Sequence, residues 1–88
     1  MTRNGPRARV VKRSVTIAGH ATSISLEQPF WSGFLHIARS EGLSAAALLR
    51  RIDATRGQED EFHGNLSSAI RVFVLEWVAT RAGMELRP

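Results

Sequence analysis

A chain of 88 residues with twelve lysines and arginines, eight acids and no cysteine has a net charge of +4, which excludes both a disulfide framework and a thiolate metal site. At this length about 60 to 65% of the unfolded surface is buried on folding, so one domain is expected and a second copy would add stability. No apolar run approaches the ~18 residues of a membrane span, and the early arginines are not followed by an apolar stretch; neither anchor nor signal peptide is expected, and a reducing cytoplasm is the simplest location.

The charge is uneven. Arg3, Arg7, Arg9, Lys12 and Arg13 place five positive charges and no acid in the first thirteen residues, whereas Ser14 onward carries seven basic and eight acidic residues. Residues 1–13, with Gly5 and Pro6 among them, therefore read as a disordered basic arm drawn to a polyanion, and residues 14–88 as the folded domain. Next, Arg13, Val15 and Ile17 alternate with Lys12, Ser14 and Thr16, the pattern of a strand, and Gly19-His20 supplies a turn. In Thr22-Ser23-Ile24-Ser25-Leu26 the alternation recurs and directs Ile24 and Leu26 to one face and Ala21, Ser23 and Ser25 to the other. The two strands either form a hairpin or lie side by side in a wider, four-stranded ribbon built from two copies; the pattern fits both.

Helical spacing begins at Pro29, whose missing N–H is not needed in a first turn. Phe30, Phe34, Ile37 and Ala38 form its stripe, and Gly42 stops it after Glu41 by taking up the left-handed conformation. Ser44 is the cap of a second helix, in which Leu48, Leu49 and Ile52 are apolar up to Thr55. The polar stretch 56–64, centred on Glu59-Asp60-Glu61, reads as a mobile loop. Asn65 then caps a third helix in which Leu66, Ile70, Phe73, Val74 and Trp77 recur on one side up to Ala82-Gly83. Its stripe of Phe73, Val74, Trp77 and Val78 is expected to be buried, and Phe30, Phe34, Phe73 and Trp77 to meet in one aromatic core.

From Ile24 through Gly42-Leu43-Ser44 to Thr55, the order and lengths of the elements resemble the ribbon-helix-helix (MetJ/Arc/CopG-type) DNA-binding family. The longer run Lys12-Arg13-Ser14-Val15-Thr16-Ile17-Ala18-Gly19-His20, then Thr22 to Glu27, Phe30-Trp31 and Asn65 to Glu76, is similar to a subfamily of small uncharacterised bacterial ribbon-helix-helix proteins. The resemblance implies a mainly α fold with a short β-ribbon, paired as a homodimer with an additional C-terminal helix, that binds double-stranded DNA without cofactor or metal as a transcriptional repressor. By that resemblance Ala21, Ser23 and Ser25 face the bases, and the N-terminus of the second helix at Ser44 and Ala45 holds a phosphate, with Arg3, Arg7, Arg9, Lys12 and Arg13 as further phosphate contacts. The shared core of the dimer is then Ile24, Leu26, Phe30, Phe34, Leu48, Leu49 and Ile52, with dimers able to stack on tandem half-sites. Hydroxyls read bases permissively, and Ala21 stands where strong readers carry a long side chain, so the base reading implied is modest.

The competing reading is a protein-interaction module, antitoxin-like or an assembly factor, that docks a partner protein through the third helix. An enzyme is not expected. His20, His36 and His63 lack ligand spacing, the acids are spread over helix surfaces and one loop, Ser67 and Ser68 occupy a first helical turn, and no glycine-rich phosphate loop is present.

Overall fold

The computed structural model describes residues 9–17, 19–58 and 66–86. Two antiparallel strands, β1 (Val10–Ile17) and β2 (His20–Glu27), are followed by α1 (Gln28–Ser40), α2 (Ala45–Gln58) and α3 (Leu66–Ala82). The two strands form the chain's own hairpin: Ile17 pairs with His20 across the turn and the ladder runs to Val10 opposite Glu27. Gly19 has φ +85, and a side chain there would be strained. The strand starts at Val10, so Val10 to Arg13 are part of the ladder rather than of the arm. Arg3 and Arg7, Asn65, and the Glu59-Asp60-Glu61 loop with His63 lie outside the described residues.

Helix α1 begins at Gln28, with Pro29 in its first turn. Its end is built by two backbone bonds, from Gly42 N to the Arg39 carbonyl at 3.1 Å and from Leu43 N to the Ala38 carbonyl at 2.8 Å. That doubly bonded ending requires Gly42 at φ +72. Gly83 ends α3 in the same way, at φ +75, with Met84 N bonded to the Ala79 carbonyl at 2.8 Å. Ser44 Oγ accepts a 3.0 Å bond from Ala47 N and so caps α2, which continues to Gln58, three residues beyond Thr55.

The core lies beneath the hairpin. Ile24, Leu26, Phe34, Leu48 and Ile70 are fully buried, one or more from each of β2, α1, α2 and α3. Burying such side chains contributes roughly 1.5 to 3 kcal/mol each. α3 packs on both other helices and on β2, while α2 meets β1. At the crossing of α1 and α3 a Cβ on Gly33 would lie 3.1 Å from Val74 Cγ1, so glycine allows the close approach.

The aromatic residues divide differently from the expected single cluster. Trp31, rather than Phe30, takes the buried position on α1: its ring meets Phe34 edge-on at 6.2 Å and its indole N–H donates to the Val11 carbonyl at 3.3 Å. A half-polar ring is well placed there because its N–H finds a partner. Phe30 is half-buried against the same core. Trp77 forms a second, shallower cluster, donating to Glu41 Oε2 at 3.1 Å, meeting His36 edge-on at 5.9 Å and lying 3.9 Å beneath the Arg81 guanidinium. Val78, expected inside, is half exposed.

Candidate nucleic-acid interface

Strand alternation and the ladder together define the site. Ile24 and Leu26 lie opposite Arg13 and Val11, and this side of the hairpin faces the helices. On the other side Lys12 is opposite Ser25, Ser14 opposite Ser23 and Thr16 opposite Ala21. Residues nominated on β2 and the polar set of β1 thus form one continuous face. Lys12, Ser14, Thr16, Ala21 and Ser23 are exposed and Ser25 is half-buried. A two-stranded β-ribbon of this kind fits the width of a DNA major groove.

Among the hairpin residues 10–27 the single acid is Glu27, at the far end of this face. Its carboxylate is held by Arg71 of α3, Nε to Oε1 at 2.9 Å. The hydrogen bond from Arg71 lowers the Glu27 pKa below its ordinary value, and the guanidinium cancels its charge. The face therefore presents hydroxyls, the small apolar side chains of Val10 and Ala21 and the positive charge of Lys12.

The other nominated residues separate. Arg9 is exposed just ahead of β1. Arg13 is on the helix side, its guanidinium 5.0 Å from the Trp31 ring centroid, where a stacked cation gains about 0.5 to 1 kcal/mol. Ser44 is exposed and Ala45 half-buried at the start of α2, where the free N–H groups and the positive end of the helix dipole favour an anion. Sequence reasoning did not find Ser67 and Arg71. Ser67 Oγ accepts from Ser25 N at 3.0 Å and Arg71 Nη2 donates to the Ser25 carbonyl at 3.3 Å. These partners are 42 and 46 residues away from Ser25, and no local pattern marks them.

No group of three or more potential metal ligands occurs among the described residues. No helix among them is long and apolar enough to cross a membrane.

The model of the Ribbon-helix-helix domain family matches residues 10–78, and the chain belongs to that family, a DNA-binding and regulatory fold rather than an enzyme family. The chain is also similar to the solved structure of an uncharacterized protein from Bordetella pertussis Tohama I, at 31% identity and a TM-score of 0.79 over 92% of this chain. It spans 65% of that protein's length. No curated protein matches significantly.

Proposed function

We propose that the protein is a cytoplasmic, homodimeric transcriptional repressor that lays its hairpin face in the DNA major groove. The observation that carries this reading is the union of Lys12, Ser14 and Thr16 with Ala21, Ser23 and Ser25 on one uncovered polar face, backed by a fold whose family is DNA-binding. Hydroxyls on that face exchange hydrogen bonds with base edges, and Lys12 contributes a cationic donor to guanine or phosphate. Phosphates are held by the N–H groups at Ser44 and Ala45 and by the arm, residues 1–9, through Arg3, Arg7 and Arg9. Arg13 belongs to the stacking support behind the face rather than to the DNA-facing set. Because backbone contacts fix position and base contacts fix sequence, affinity is dominated by charge and specificity is modest. Repression follows by occlusion, since a protein seated in the groove blocks other proteins from the same site.

Fluorescence-anisotropy titration of the full chain on random duplex and on duplex from its own upstream region, at several salt concentrations, tests the reading. Salt-sensitive binding that favours the upstream duplex supports a regulator. Equal binding to both leaves a DNA-coating protein, and absence of binding at low salt overturns the proposal.

A second reading has an observation of its own. Val72, Leu75 and Val78 on α3 are each about half exposed, an apolar stripe facing away from the core. Under this reading α3 docks a partner protein, and the DNA face serves only assembly. A native chain that does not bind DNA at low salt, with a Leu75→Glu chain that keeps its fold and dimer but loses function in cells, would favour it.

A further inference from the structure

Glu27 is the one acid of the hairpin, and it shares the front face with Lys12, the one cation there. Lys12 is paired with Ser25, and Glu27 is the next residue on that side of β2, so the two charges are diagonal neighbours. Residues placed in this way lie about 7 to 8 Å apart, within reach of two long side chains. Left alone, they would attract one another. Instead Glu27 is held from α3: Arg71 Nε donates to its Oε1 at 2.9 Å, while Arg71 Nη2 donates to the Ser25 carbonyl at 3.3 Å. The ladder leaves that carbonyl open to α3. Ile17 and His20 close the hairpin across two residues as a hydrogen-bonded pair, such pairs alternate, and the backbone groups of Ser25 consequently point away from β1. The Ser25 N–H is fixed in turn by Ser67 Oγ at 3.0 Å. No ion pair to Lys12 is seen among the described residues, and its side chain is exposed.

We propose that Arg71 is a positioning residue for DNA binding: by holding Glu27 from α3, it keeps Lys12 of the hairpin face free for DNA. This rests on the DNA reading proposed above and adds to it a residue that acts through another. Glu27 has two cations to choose between, and the geometry favours Arg71. Its planar fork bonds the carboxylate and the Ser25 carbonyl at once, whereas the Lys12 ammonium is a strongly hydrated point charge on a flexible stem. Arg71 is also carried by a helix whose Ile70 and Val74 are buried in the core, so its approach to the strand is set by packing. The same engagement separates it from a phosphate contact, since two of the three guanidinium nitrogens are already bonded. Without Arg71, the carboxylate has Lys12 as the one cation on its own face, and DNA must compete with Glu27 for it.

A mutant cycle on DNA affinity tests the assignment. Lys12→Gln is made in three backgrounds of the full chain, namely native, Arg71→Gln, and Arg71→Gln with Glu27→Gln, and every chain is titrated on one random duplex by fluorescence anisotropy at several salt concentrations. An exposed ion pair holds its partners weakly, so the fold-loss caused by Lys12→Gln is expected to be about two- to fivefold smaller in the Arg71→Gln chain than in the native chain. The salt slope follows: Lys12→Gln flattens it by about 0.9 in the native chain and by clearly less once Arg71 is gone. Adding Glu27→Gln removes the competitor, and the full loss on Lys12→Gln is expected to return. An equal fold-loss in all three backgrounds overturns the proposal, because Arg71 then acts on DNA through its own charge. A reduced loss that Glu27→Gln does not restore also overturns it, and assigns the effect to the docking of α3. Circular dichroism and melting curves accompany each chain, and Arg71→Met, which keeps the apolar stem, takes the place of Arg71→Gln if that variant loses its melting transition. Failure of the underlying reading looks different. Absence of native binding at low salt, or native binding that Lys12→Gln leaves unchanged, breaks the DNA-reading proposal and this one with it, before any Arg71 variant is compared.

Discussion

The two faces of the hairpin come from the same sixteen strand residues, yet they differ in what a substitution disturbs. Behind it, Ile24 and Leu26 are buried in the core beneath the helices, and Arg13 and the Val11 carbonyl are engaged by Trp31. In front, Lys12, Ser14, Thr16, Ala21 and Ser23 touch solvent, and their identities are free of packing demands. The pleat thereby separates the packed side from the face proposed to meet DNA, since neighbouring residues of one strand point to opposite sides. An extra helix completes the division: α3 fills the core from behind with Leu66, Ile70 and Val74 and closes the strand edge with Ser67 and Arg71.

The sharpest way to break this contrast is Leu26→Asp or Ile24→Asp. A carboxylate buried without a partner costs several kcal/mol, a large part of the roughly 5 to 15 kcal/mol that holds such a domain together. Both variants are expected to lose the cooperative thermal transition and the dimer; a native melting curve with an unchanged mass by light scattering would remove this face from the core. Phe34→Ala comes next, with an expected loss of about 3 to 5 kcal/mol in urea denaturation. On the front face, Lys12→Gln is expected to leave the circular dichroism and melting curve untouched while weakening DNA binding. The salt slope should flatten by about 0.9 for each phosphate no longer neutralised, and deletion of residues 1–9 should flatten it further and alike on every duplex. A change confined to one sequence would instead make the arm a reader.

Ser44→Ala probes a residue that caps α2 and that the proposed function also places on a phosphate. Loss of the Ala47 N–H acceptor is expected to cost about 1 kcal/mol of stability, with a parallel loss of DNA affinity if α2 holds a phosphate. The smallest effect concerns Glu27, whose folded-state pKa is lowered by the Arg71 hydrogen bond. A depressed carboxyl pKa stabilises the fold above the ordinary value of 4.5, and that contribution is lost as pH falls through the folded-state value. The stability gap between native protein and Glu27→Gln should accordingly close on acidification below about that pH, and a gap that persists to full protonation would assign the contact to packing instead of charge.

Much of the fold was legible because its signals are local. Alternation in β2 separates Ile24 and Leu26 from Ser23 and Ser25, Gly42 announces the end of α1, and Ser44 caps α2 three residues before the N–H it binds. The nominated base-reading residues could be placed on one face for the same reason. What escaped was set by distant partners. Phe30 and Trp31 both suit the α1 stripe by spacing, and only the Val11 carbonyl, twenty residues earlier, decides which ring goes in. Arg13 looks like part of the basic arm until the ladder turns it toward Trp31. Val78 matches the apolar period of α3, but the helix rolls so that it leaves the core.

Period, caps and charge distribution are properties of neighbouring residues, and from them the sequence by itself determined a ribbon followed by three helices, the polarity of each strand face and a basic N-terminal stretch. Tertiary structure decided that β1 folds back on β2 so that two half-faces become one, and that Ser67 and Arg71 close the edge at Ser25. The physical reason is that an edge hydrogen bond depends on direction and distance between groups more than forty residues apart. Those quantities exist only once the helices have packed.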